Sequence, residues 1–264
     1  MGILNVTPDS FYDGGRHTRL GAALARGRVM LAEGADLLDV GGESSRPGAQ
    51  PISADEECAR IIPVIAGLRR ETDRPISVDT TKATVAAEAL AHGADVVNDI
   101  SAGRFDPAML ALVAERGAGI VLMHMQGTPA TMQTAPHYAD VVAEVWTFLR
   151  ERADTALATG IGPDRIWLDP GLGFGKRPED NLTLLAHLHR FTTPGFPLLI
   201  GASRKRFLAV GADDTPSDRL AASLAAATLA VAHGARIVRV HDVGATRHAV
   251  AVADALTRAA HPTS

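Results

Sequence analysis

Cysteine is almost missing from this chain: Cys58 is the only one among 264 residues. A single thiol cannot build a disulfide framework, so a small oxidised scaffold is excluded and a reducing compartment is expected. Long apolar runs are missing as well. No stretch approaches the roughly 20 residues that a bilayer requires. Asn5, Asp9 and Asp13 interrupt the N-terminus where a signal peptide would be apolar. Charge of one sign is lacking too, since 26 Lys+Arg against 30 Asp+Glu leave a net charge of -4. That balance argues against a nucleic-acid or membrane-surface partner and leaves room for local anion sites. A cytoplasmic protein is expected, and in that setting the match of Asn5-Val6-Thr7 to a glycosylation sequon is chance. No linker or low-complexity segment divides the chain, which reads as one domain.

What is present is ordinary globular material, 46% hydrophobic and 21% charged, with enough length for a large core. One short pattern recurs. Gly34-Ala35, Gly93-Ala94, Gly117-Ala118 and Gly234-Ala235 each end a helical stretch and precede a run that reads as a fully apolar strand. The glycine suits the left-handed position after a helix. The apolar runs, read without polar alternation, suit strands buried on both faces in a parallel sheet. Further strands are expected at residues 3–6, 76–78, 166–168 and 198–200. Helical stretches are expected at 20–32, 54–70, 81–91, 107–115, 138–159, 179–190, 217–232 and 245–259. Eight strands, each followed by a helix, predict an α/β fold of the (β/α)8 TIM-barrel type. A doubly wound open sheet is the alternative, and the regularity of the units favours the closed barrel.

In such barrels the chemistry lies at the strand C-termini, so the residues there matter most. Strand one ends in Asn5 and a loop with Asp9, Phe11 and Asp13; strand two in Asp39 and Gly41-Gly42-Glu43-Ser44-Ser45-Arg46-Pro47-Gly48. Strands three to five end in Asp79-Thr80-Thr81-Lys82, Asn98-Asp99 and Met123-His124-Met125-Gln126-Gly127. Strand six leads into Asp169-Pro170-Gly171-Leu172-Gly173-Phe174-Gly175-Lys176, strand seven into Ser203-Arg204-Lys205-Arg206, strand eight into Arg239, His241 and Asp242. Any one of these could be structural: Asp79 could cap the helix expected near Thr81, and Asp39 and Glu43 could satisfy loop amides. Their convergence on one mouth favours a polar ligand, because each unpaired buried polar group would cost roughly 1–3 kcal/mol.

The inventory has two halves. Asp79, Asn98 and Asp169 accept hydrogen bonds and Lys205 donates, a set suited to a flat heterocycle with amino and amide edges. Arg239 and His241, two apart on a strand and therefore pointing the same way, lie beside Asn5 where strand eight closes on strand one. They suit a phosphate or diphosphate with Mg²⁺. Other signals fail. Gly171 to Lys176 lacks phosphate-loop spacing because position 170 is proline. His187 and His189, two apart on an expected helix, are poorly placed for zinc. There is neither a nucleophile elbow nor a metal-spaced Cys/His cluster.

These segments, in this order and over nearly the whole chain, closely resemble the dihydropteroate synthase family. The resemblance implies a transferase that joins (7,8-dihydropterin-6-yl)methyl diphosphate to 4-aminobenzoate, releasing pyrophosphate and giving 7,8-dihydropteroate for folate biosynthesis. It implies that Asp79, Asn98, Met123, Asp169 and Lys205 hold the pterin, and that Asn5 meets Mg²⁺. It implies that Asn5, Arg239 and His241 hold the diphosphate, and that Phe11, Ser45, Arg46 and Pro47 form the aminobenzoate pocket, with Asp13 near the reacting methylene. A homodimer is implied by the family alone. Three departures stand out. The chain begins almost on strand one, where family members usually carry an extension that closes the barrel's bottom. Tyr12 and Arg206 stand where smaller residues are common, and Arg206 would assist the aminobenzoate carboxylate. The rival expectations are a methyltetrahydrofolate methyltransferase-like barrel, and a non-catalytic pterin-binding paralogue.

Overall fold

The computed structural model describes residues 1–7, 16–192, 195–210 and 216–260. Strands and helices alternate strictly. β1 (Gly2–Asn5), β2 (Leu38–Gly41), β3 (Ile76–Asp79), β4 (Val96–Asp99), β5 (Gly119–Met123), β6 (Ile166–Asp169), β7 (Leu199–Ile200) and β8 (Ile237–Val238) are followed in turn by α1 (Arg16–Ala32), α2 (Ala54–Arg69), α3 (Ala83–Ala91), α4 (Met109–Arg116), α5 (Val141–Ala158), α6 (Pro178–Ala186), α7 (Pro216–Ala232) and α8 (Val243–Ala260). β1 to β6 form one parallel sheet in chain order, and β7 pairs parallel with β8. Single parallel bridges join the two pieces, Leu168 to Leu198 on one side and Gly2 to Val240 on the other. The Leu168 N–H donates to Pro197 O at 3.0 Å, and the Ile3 N–H donates to Val240 O at 2.9 Å. The ring is therefore closed, as the repeating strand–helix order predicts. Its last two strands pair over only two residues, and β7 is one residue shorter than the 198–200 run expected. Pro197 has no N–H, so there the seam rests on its carbonyl.

The recurring Gly-Ala pattern is a helix stop. After α1, α3, α4 and α7 a glycine adopts φ of +94°, +108°, +60° and +98°. The following alanine N–H then reaches back to a carbonyl in the last helical turn: Ala35 to Met30, Ala94 to Ala89, Ala118 to Val113 and Ala235 to Ala230, at 2.9–3.1 Å. These satisfy carbonyls that the helix would otherwise leave open. Gly160 and Ile161 do the same after α5 without sharing the sequence pattern.

Strand side chains alternate between two apolar layers. Leu38, Val40, Ile76, Val78, Val97, Ile120, Leu122, Ile166, Leu168 and Ile200 join the large core beneath the helices. Val96, Val121 and Leu199 instead cluster with Met1, Trp167 and Ile237 inside the ring. This second layer plugs the barrel and forms an apolar floor beneath the mouth. The strands are thus less uniformly apolar than the sequence reading held: Asp39 and Ser77 lie within β2 and β3, both fully buried, in the alternation set that faces inward. Among the described residues no helix is long and apolar enough to cross a membrane. The helix expected over 179–190 ends at Ala186, and residues Leu188–Phe191 form a 3₁₀ turn. His187 and His189 therefore do not share a helix, and their rings lie 6.1 Å apart.

Candidate active site

Above the apolar floor the inward positions become polar. Arg239, just past β8, stretches across to two strands at once. Its Nε donates to Asp39 Oδ2 and its Nη2 to Asp79 Oδ2, each at 2.6 Å. Asn98 on β4 donates its Nδ2 to the same Asp39 oxygen at 3.1 Å. Four strands are thereby tied by one polar network at the level of the register pairs Gly41–Asp79 and Asp79–Asn98. Asp79 is not a helix cap: α3 starts at Ala83, whose N–H is taken by Asp106 at 2.8 Å, and Thr80 Oγ1 takes the Lys82 N–H. Asp99 is structural, its carboxylate accepting from the Ser101 and Gly103 N–H groups at 2.7 Å.

Burial dominates the electrostatics. It raises the Asp79 carboxyl to about 7, with Arg239 pulling the other way and Asp39, Glu57 and Asp99 adding to the rise. Burial also raises Asp169, against the opposing pull of Lys205 and of the Gly171 N–H, which donates to its Oδ1 at 2.7 Å. The Lys205 ammonium is lowered by burial to about 8, with Asp169 holding it up and Arg239 pushing it down. For Arg239, burial would lower the guanidinium, but Asp39 and Asp79 outweigh it and raise it. A carboxyl and an ammonium that titrate near neutrality in one cleft mark a place where protonation is poised.

The Gly-rich turn after β6 shapes the other wall. Gly171 and Gly175 adopt φ of +67° and +59° and pass so close to His124 and Gln126 that a Cβ would lie 1.9 Å and 2.4 Å from their carbonyl oxygens. Lys176 folds inward and is 2% exposed. Its Nζ donates to the carbonyls of Gly171 at 2.9 Å and Phe174 at 3.0 Å, and lies 2.9 Å from His124 Nδ1. So held, the turn lays the Phe174 ring 4.6 Å from the Lys205 ammonium, which also donates to Leu172 O. Met123 packs nearby in a small apolar cluster with Ile100, Met125, Met132 and Phe174. The turn is a scaffold for Lys205 and Asp169, consistent with its failed phosphate-loop spacing.

On the opposite side His241 faces Ser203 rather than sharing Arg239's partners. Ser203 Oγ lies 3.0 Å from His241 Nδ1 and accepts the His241 N–H at 3.2 Å. Burial lowers the His241 imidazole to about 4, helped by the nearby Arg204 and Arg239 and opposed by Asp242, so it is neutral near pH 7. Asn5 ends β1 beside β8, and Arg26 donates to His241 O at 2.8 Å. Ser45 is half-buried, whereas Arg46, Pro47 and Arg206 are exposed at the rim. Phe11, Tyr12 and Asp13 lie outside the described residues. Reasoning from sequence counted Asp39 and Phe174 among the residues at the mouth but gave neither a role in the site. The polar residue at Asp39 in an alternating Leu-Asp-Val run was a usable signal; nothing local distinguished Phe174.

Residues 1–241 match the family model of pterin binding enzymes. The dihydropteroate synthase of Synechocystis is 48% identical over 259 residues, covering 98% of this chain and 90% of that protein. A dihydropteroate synthase structure from Xanthomonas albilineans with 4-aminobenzoic acid superposes with a TM-score of 0.90 at 50% identity, covering 97% of this chain and 91% of that one. The structure of the Xanthomonas albilineans enzyme in complex with 7,8-dihydropteroate gives 0.87 at 48% identity, with 97% and 92% covered. The barrel, the polar ring above its floor and these likenesses agree: the chain belongs to the dihydropteroate synthase family of pterin binding enzymes.

Proposed function

We propose that this chain condenses (7,8-dihydropterin-6-yl)methyl diphosphate with 4-aminobenzoate, giving 7,8-dihydropteroate and pyrophosphate. The observation that carries the reading is the ring of Asp79, Asn98, Asp169, Lys205 and Arg239 over an apolar floor, in a chain about half identical to a synthase crystallised with 4-aminobenzoic acid. Asp79 and Asp169 accept from the amino and ring N–H edges of the pterin. Asn98, whose Nδ2 is committed to Asp39, offers its carbonyl oxygen. Lys205 donates to the ring's acceptor edge, and Met123 packs on its face. Arg239 serves both halves. Nε and Nη2 hold Asp39 and Asp79, and its other donors are left for the diphosphate.

The C–O bond to the diphosphate breaks, and the methylene left behind is cationic in character, delocalised into the pterin. The carboxylates of Asp79 and Asp13 stabilise that charge. The arylamine nitrogen then forms the new C–N bond and releases a proton. His241, neutral at pH 7, takes part as a hydrogen-bonding group beside Arg239 rather than as a second cation. Phe11, Ser45, Arg46, Pro47 and Arg206 surround the aminobenzoate. Mg²⁺ fits this donor set, because it keeps much of its coordination for substrate phosphate and water and asks few ligands of the protein; the Asn5 amide oxygen, at the end of β1 beside Arg239 and His241, would hold it. Bound there, the ion would neutralise charge on the departing diphosphate. The lone Cys58 supports a reducing, cytoplasmic setting. The exposed Leu229 on α7 with Val252 and Leu256 one turn apart on α8 supports a homodimer through these helices, checked by sedimentation with Leu256→Glu.

The deciding experiment gives purified protein both substrates and Mg²⁺ and follows pyrophosphate and dihydropteroate together. Equal release of the two is expected; no pyrophosphate beyond the uncatalysed rate would sink the reading.

A further inference from the structure

The loop between β2 and α2 carries Ser45, Arg46 and Pro47, and its two ends meet at one carboxylate. Glu43 sits just past β2. Its Oε2 accepts the N–H of Ile52, 3.5 Å away at the other end of the loop. Ile52 directly precedes Ser53, whose hydroxyl caps α2 by accepting the Glu56 N–H at 3.2 Å. The same Glu43 oxygen receives the ammonium of Lys82, which comes from the end of a different strand. Lys82 also donates to Glu57 Oε2 on α2 at 2.6 Å, and Glu57 is fully buried. Arg60, one turn further along α2, donates to Gly42 O at 2.8 Å.

Lys82 is the fixed point of this cluster. Its own N–H is held by Thr80 Oγ1 at 3.2 Å, and the next N–H, that of Ala83, by Asp106 at 2.8 Å. Leaving Glu57 would abandon a carboxylate with no solvent exposure, which is costly. Glu43 is only half-buried, so the loop is the part that yields when the cluster is broken. Beyond Glu43 the loop is lightly tied: Gly48 N–H donates to Pro129 O at 3.2 Å, and Arg46 N–H to Ser44 Oγ at 3.4 Å. Lys82 therefore couples the end of β3, which presents Asp79, to the base of the loop that presents Ser45 to Pro47.

We propose that Lys82 is a positioning residue: by bridging Glu43 and Glu57 it sets the height and angle of the β2–α2 loop over the mouth, and so governs the aminobenzoate subsite without touching either substrate. This rests on the synthase reading above. A small tilt at the base is magnified at Arg46 and Pro47, so it acts on the second substrate and leaves the network around Asp79 in place.

The test combines amide hydrogen exchange with steady-state kinetics. Glu43→Gln keeps the Lys82–Glu57 pair and so preserves the fold; Lys82→Met removes the bridge; Lys82→Arg keeps it. In Glu43→Gln and Lys82→Met, exchange across residues 44–52 should quicken about tenfold while β3 stays protected. KM for 4-aminobenzoate should rise about tenfold, with kcat and KM for the pterin diphosphate within about twofold. Lys82→Arg should restore both readouts. Unchanged loop exchange in both variants, or equal rises in the two KM values, would overturn the proposal. A wild-type chain that makes no dihydropteroate would defeat the synthase reading instead, and the exchange data would still decide whether Lys82 positions the loop.

Discussion

Arg239 reaches from the end of β8 to Asp39 on β2, where its Nε lies 2.6 Å from the Oδ2 of a carboxylate that has no solvent exposure. A charge pair so deep is sustained because each partner answers the other and Asn98 adds a third contact to the same oxygen. Removing Arg239 strands Asp39, and removing Asp39 leaves Arg239 with Asp79 alone. Asp39→Asn should therefore lose about 3–5 kcal/mol of stability, and Arg239→Met a similar amount. The double variant should fall well short of the sum, since the Arg239–Asp39 interaction is then lost only once. Urea unfolding of the three proteins checks this; additive losses would show that the pair does not act as a unit.

Asp79 answers to the same guanidinium at 2.6 Å, yet its removal should have the opposite effect on stability. Burial holds its carboxyl near 7, above the ordinary 3.8. The folded state then binds the proton more tightly than the unfolded chain does, so stability falls as pH rises through that window. An uncharged amide escapes the loss, which amounts to about 4 kcal/mol at most. Asp79→Asn should thus melt higher relative to the wild type at pH 7.5 than at about pH 4.5, while its turnover is lost. A difference in melting temperature that shrinks with rising pH would show that the Arg239 attraction outweighs burial.

The contrast between these neighbours shows what a sequence discloses. The eight-fold strand and helix order was legible because Gly34, Gly93, Gly117 and Gly234 mark helix ends by a conformation that side chains resist. Asp79, Asn98, Asp169 and Lys205 were legible as strand-end polar residues. The reach of Arg239 across the ring was not, because it links residues 200 positions apart through a side chain whose direction depends on the whole barrel. Phe174 was hidden for a related reason: only the inward fold of Lys176 brings its ring to Lys205. The ends of the helices that cover the sheet were blurred by up to four residues, as at the start of α1 and the end of α6, and by two at α3, where Asp106 in a distant loop takes the first N–H.

Lys205 links pH to turnover. Burial lowers its ammonium to about 8, with Asp169 resisting. Above that pH the ammonium that donates to the pterin edge loses its charge, so kcat/KM for the pterin diphosphate, which rises as Asp79 ionises through about pH 7, should fall about tenfold per pH unit above pH 8. Stability should run the other way. The unfolded chain keeps this proton up to its ordinary 10.5, so the lowered value makes folding more favourable as pH rises from 8 to 10.5. Lys205→Met should remove that gain and abolish turnover. Lys205→Arg should keep whatever rate it has without the alkaline fall. A wild-type profile flat to pH 10 would mean that Lys205 does not control the reaction.

The turn after β6 allows backbone strain to be separated from steric conflict. Gly160 and Gly171 both hold a left-handed conformation, with φ of +102° and +67°. A Cβ on Gly160 meets nothing within 4 Å, whereas on Gly171 it would lie 1.9 Å from His124 O. Gly160→Ala should therefore cost only the backbone term, about 1–2 kcal/mol, and leave kcat/KM unchanged. Gly171→Ala must also push β5's end and the turn apart. That would displace the N–H held by Asp169 and, with it, Leu172 O and Phe174 beside Lys205. Its loss of stability should be larger by several kcal/mol, and the protein that remains folded should turn over at least about a hundredfold more slowly. Equal stability losses for the two alanines, with turnover intact in both, would show that the turn tolerates displacement and does not set the position of Lys205.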